Sequence, residues 1–85
     1  MNIDTIVTLG ENRRYYLVDE TVQDNKKYFL GTKLSEEDLP TPESEIFEEF
    51  IQDGNTYLTP VIEEERLNFL AAIFLAKFKK LLDEE

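Results

Sequence analysis

The spacing of apolar residues changes once along this chain, at Glu63, and that change restricts the architectures open to it. Before it, β-branched and aromatic residues alternate at a period of two, with Ile3, Thr5, Val7 and Leu9 on one side of a first strand. Arg13 to Val22 and Lys26 to Leu34 read as two further strands, set apart by the turn-forming triplets Gly10-Glu11-Asn12 and Gln23-Asp24-Asn25. Three strands over residues 3–34 with three-residue connections predict an antiparallel meander. After Glu63 the period becomes that of an α-helix. Leu67, Leu70, Ala71, Phe74, Phe78, Leu81 and Leu82 line one face, with Leu75 at its margin. Glu63, Glu64 and Glu65 open this segment and Lys77, Lys79 and Lys80 close it, the order the helix dipole favours. A helix over residues 63–82 follows, with Asp83-Glu84-Glu85 frayed.

Between meander and helix the pattern is less regular. Residues 35–44 hold two prolines, four acids and one aliphatic residue, which predicts an exposed acidic loop. Residues 45–52 suit either a short helix or a strand, since Ile46, Phe47, Phe50 and Ile51 satisfy both spacings. The turn Asp53-Gly54-Asn55 and the extended Thr56-Tyr57-Leu58-Thr59 beyond it favour a hairpin over residues 45–61. Pro60 then belongs at a strand end or edge, where its missing N–H costs no ladder bond. The expected fold is α+β in a single domain over residues 1–85. It has a small antiparallel sheet of four or five strands, meander plus hairpin, covered by one C-terminal α-helix.

Composition removes several kinds of chemistry. The chain has no cysteine, no histidine and no tryptophan, and its serines are Ser35 and Ser44 alone. Disulfides, thiolate nucleophiles, iron–sulfur clusters and imidazole metal ligands are therefore absent. Its glycines are too few and too scattered for a phosphate loop or dinucleotide fingerprint, and no nucleophile elbow or zinc-helix motif occurs. Asp53-Gly54-Asn55 and Glu36-Glu37-Asp38 do not follow calcium-loop spacing. No catalytic, metal or cofactor site is expected, and the chain is read as a non-enzyme. The longest apolar run, Phe69 to Ala76, is eight residues, far short of the roughly 20 that span a bilayer. With no signal-like N-terminus and no disulfides, the expected setting is the cytoplasm, away from membranes.

The net charge of −10 is regional. Residues 1–34 hold five acids and five bases, and residues 67–85 hold three of each. Residues 35–66 carry eleven carboxylates against Arg66 alone. Such a field repels nucleic acid and anionic lipid, so direct nucleic-acid binding is not expected. It attracts basic proteins, and a phage-type mimic of nucleic-acid phosphates would use Glu36, Glu37, Asp38, Glu43, Glu48 and Glu49 against a basic nucleic-acid-binding enzyme. The same carboxylates also suit a solvated face that keeps a small apolar protein in solution. Aromatics interleave with bases at Arg13-Arg14-Tyr15-Tyr16 and Lys26-Lys27-Tyr28-Phe29, but cross-strand packing and charge pairing explain them.

On the helix, Phe69, Ala72, Ile73 and Ala76 form a second apolar group opposite the first. A helix covering one face of a sheet has no internal use for such a group. Phe69, Ile73 and Ala76 are therefore candidate partner-binding residues, for another protein or for self-association through the helix. The expected function is a small non-catalytic interaction or regulatory protein, with the acidic mimic as the alternative.

The order of features resembles the YrzB-like family of short, acidic proteins of Gram-positive bacteria. The resemblance rests on Ile6-Val7-Thr8-Leu9, on Lys27-Tyr28-Phe29-Leu30 before the acidic spacer, and on Glu45-Ile46-Phe47. Its strongest part is the run Asp53 to Glu65, a hairpin and a proline leading into the acidic start of an apolar helix. The helix is more apolar than in that family, and Arg13-Arg14 stands where acids are expected. The resemblance implies a bacterial cytoplasmic origin and a strand-rich fold with a C-terminal helix. It implies no catalytic residues.

Overall fold

A computed structural model describes residues 2–83. Five strands, β1 (Thr5–Leu9), β2 (Arg13–Gln23), β3 (Lys26–Leu34), β4 (Pro40–Gln52) and β5 (Asn55–Pro60), form one antiparallel sheet in the order β1-β2-β3-β4-β5. One helix, α1 (Glu64–Asp83), follows. The fold is α+β, and residues 45–52 belong to a strand. Glu84 and Glu85, expected to fray, lie outside the described residues.

Two hairpins turn on residue pairs whose backbones are left-handed. Gln23 faces Lys26 across Asp24-Asn25 (φ 54° and 63°), and Gln52 faces Asn55 across Asp53-Gly54 (φ 53° and 80°). Asn, Asp and Gly adopt positive φ at the lowest cost, and this turn type matches the twist of the flanking strands.

The loop expected over residues 35–44 is shorter, because strand structure resumes at Pro40. Residues 35–39 close on themselves, with the Ser35 N–H donating to the Leu39 carbonyl (2.8 Å) and the Asp38 N–H to the Ser35 carbonyl (2.9 Å). The prolines are tolerated for a local reason. Pro40 is the first residue of β4, and Pro42 falls in the register shift between Ser44, opposite Thr32, and Pro40, opposite Leu34. The β5 pairing reaches back only to Phe47, so this stretch of β4 has no ladder bond to lose on that side.

The two faces of the sheet are apolar for different reasons. On the face away from α1, Tyr15, Leu17, Phe29 and Phe47 are buried. The registers Leu17↔Gly31 and Phe29↔Phe47 set them side by side, and the Tyr15 and Phe47 rings meet edge to face at 5.0 Å. Gly31 makes this packing fit. A Cβ there would lie 3.1 Å from the Phe47 ring and 3.4 Å from Tyr15 Cβ, so the rings occupy the space a side chain would need. The sheet curls over this cluster, and its edge strands add half-buried Val7, Leu9, Leu58 and Pro60.

On the other face, Tyr28 and Ile46 pack with Leu70 and Phe74 of α1, bordered by Leu30, Val61 and Leu67. Val61 extends the pairing one residue past β5, its N–H donating to the Ile46 carbonyl (2.9 Å), and this directs the chain into the helix. Lys77 ties the far end of α1 to β2 through Asp19 (2.7 Å) and the Glu20 carbonyl, while its ammonium stands over the Phe74 ring.

Candidate functional site

Antiparallel pairing of β3 with β4 brings the bases of the first segment against the acids of the second. Lys26 lies 3.6 Å from Glu48, and Lys33 lies 3.4 Å from Glu43. Arg14 pairs with Asp38, and Arg66 reaches Asp24 at 3.1 Å. Of the six residues in the candidate acidic surface, Asp38, Glu43 and Glu48 are thus in ion pairs, and Glu49 is half-buried. Glu36 and Glu37 stand exposed at the tip of the 35–39 loop. Three of the eleven carboxylates in residues 35–66 are thus paired with bases from the first 34 residues.

The base-flanked aromatics are structural. Tyr15, Tyr28 and Phe29 are buried, so their rings offer no stacking platform. The Tyr15 hydroxyl donates to Glu45 Oε2 at 2.8 Å, and the Tyr16 hydroxyl to Asp4 Oδ1 at 2.8 Å. Burial, then the Glu45 hydrogen bond, raises the Tyr15 phenol above its ordinary pKa. Burial likewise raises that of Tyr28, with Arg66 opposing the shift. A polar hollow of about 730 Å³ lies between Arg13, Arg14, Lys33 and Glu36. Its cations are already engaged by Gly10 O, Asp38 and Glu43. Among the described residues no three acidic side chains converge as a metal site would require. No helix among them is long and apolar enough to cross a membrane.

The helix carries the remaining candidates. Phe69 is 48% exposed and Ala76 is exposed, while Ile73, expected in the same outward group, is half-buried. Arg66 lies over the Phe69 ring at 6.0 Å. Ala71, Leu75, Phe78 and Leu81, expected to line the sheet-facing side or its margin, are exposed, Phe78 by 58% and Leu81 by 63%. Leu70 and Phe74 alone on α1 are buried among the residues whose side chains are described. The Leu82 side chain, assigned to the same face, lies outside that description. Two open grooves flank the distal half of α1. One, of about 540 Å³, runs between Ile46, Val61, Ala71 and Phe78, and the other, of about 680 Å³, between Ile3, Val18, Lys77 and Leu81. Periodicity sets the direction a helical side chain takes. It does not say how far the sheet extends beneath it, and here the cover is narrow.

Comparison with protein-family models, with curated proteins and with solved structures returns no match.

Proposed function

We propose that this chain is a small non-catalytic interaction module of the bacterial cytoplasm, and that it docks on another polypeptide through α1. The observation that carries this reading is the half-exposed Phe69, with half-buried Ile73 and exposed Ala76 beside it, on a helix that meets the sheet through Leu67, Leu70 and Phe74. Large aromatics held half in water on a rigid helix are the common anchors of helix-mediated recognition. The fitting partner presents a second apolar helix with small residues opposite Phe69 and Ile73. The YrzB-like resemblance agrees with a bacterial interaction protein and adds no chemistry of its own. An acidic mimic has less support, because half of its six carboxylates are neutralised within the chain.

The test is affinity capture from a nuclease-treated Gram-positive lysate with three baits: the wild type, Phe69→Asp, and a Glu36→Gln, Glu37→Gln double variant. The expected result is a retained protein lost with Phe69→Asp, kept by the double variant and resistant to salt. A basic enzyme retained by Phe69→Asp, and lost as salt rises or with the double variant, would overturn the reading in favour of mimicry.

A further inference from the structure

The outer side of α1 is complementary to itself when reversed. At about 100° per residue, Glu65, Phe69, Ala72, Ile73, Ala76 and Lys80 fall within one stripe roughly 100° wide. When a second copy is turned end for end about a point midway between Ala72 and Ile73, Glu65 meets Lys80, Phe69 meets Ala76 and Ile73 meets Ala72. The two-fold axis repeats each pairing with the roles exchanged. A large residue then stands over a small one at every level, which lets two helices approach to about 8–10 Å. An acid stands opposite a base at both ends.

The charges agree with this pairing. Two copies at −10 each repel, yet Glu64–Asp83 holds four bases and three acids, so the helix is locally near neutral. Among the described residues, neither Glu65 nor Lys80 makes an ion pair within the chain, and both are exposed. We infer that α1 pairs antiparallel with α1 of a second copy, giving a two-fold dimer in which each protomer supplies the same surface. The inference rests on the docking reading above and names its partner. The stripe runs over 16 residues, about 22 Å of helix, and its few apolar side chains offer less than the roughly 800 Å² per partner of a standard interface. The dimer is therefore weak and reversible.

Sedimentation equilibrium over a rising concentration series, with single charge reversals and their mixture, tests this pairing. The wild type moves from the 10.0 kDa of one chain towards twice that mass. Glu65→Lys alone and Lys80→Glu alone stay at the mass of one chain, since each places like charges together twice. An equimolar mixture of the two variants regains the dimer, because both end pairs are again opposite in sign. Phe69→Asp stays monomeric in every mixture. Both reversed residues are exposed and, among the described residues, unpaired within the chain, so each reversal costs the fold only that residue's weak interaction with the helix dipole. A wild type that remains at 10.0 kDa throughout overturns the dimer, and so does a mixture that associates no better than its components. A monomeric wild type whose foreign partner is still lost with Phe69→Asp separates failure of the dimer from failure of the docking reading.

Discussion

The inner face of the sheet and the face beneath α1 are both apolar, yet they are closed by different means. Tyr15, Leu17, Phe29 and Phe47 are enclosed by hydrogen-bonded strands that curl around them. The helix side rests on Leu70 and Phe74 against Tyr28 and Ile46, with Lys77 as a polar tether and open grooves on both flanks. Stability therefore resides in the sheet, while the helix is a lightly held element with apolar surface to spare. Regions of low local stability are where proteins place surfaces that move or bind.

The strongest way to break this contrast is at its stable half. Phe47→Ala removes a ring buried from every side and touching Tyr15, and it is expected to cost about 3–5 kcal/mol and to unfold sheet and helix together. Urea unfolding followed by circular dichroism measures the loss. Leu70→Ala, equally buried but beside an open groove that can relax, is expected at the lower end of the large-to-small range, about 2–3 kcal/mol. Its signature is local. Helix signals in the NMR spectrum broaden or shift while those of β2 and β3 stay in place.

Alkaline pH acts on both halves. Because the Tyr15 and Tyr28 phenols are raised in the folded chain, the unfolded chain gives up these protons first as pH climbs past the ordinary value. Their contribution is complete below that value and is lost as pH rises through the folded ones. The urea midpoint is expected to fall as pH rises above about 10, less steeply in Tyr15→Phe and in Tyr28→Phe. The smallest effect belongs to the tether. Lys77→Ala breaks a partly exposed ion pair to Asp19, and about 0.2–1 kcal/mol is expected from the unfolding midpoint.

The sequence was most legible where local chemistry decides. Asp53-Gly54 marked its hairpin because left-handed backbone suits those residues, and the change of period at Glu63 marked the helix start to within a residue. Strand structure from Pro40 to Ser44 was hidden, because prolines argue against a strand unless the missing pairings are known in advance. Linear counting found the acidic stretch but could not show that β3 lays Lys26 and Lys33 beside Glu48 and Glu43, pairing part of it. Phe78 and Leu81 share the spacing of Phe74, and only the extent of the sheet tells them apart. Phe69, by contrast, was placed outward by helical geometry alone.

Native-state hydrogen exchange at low protein concentration tests the division between a self-sufficient sheet and a lightly held helix most directly. Amides of β2, β3 and β4 are expected to exchange only through global unfolding, and those of α1 at a distinctly lower free energy. Equal protection of α1 and β3 in the isolated chain would contradict that division and make the helix a full part of the core.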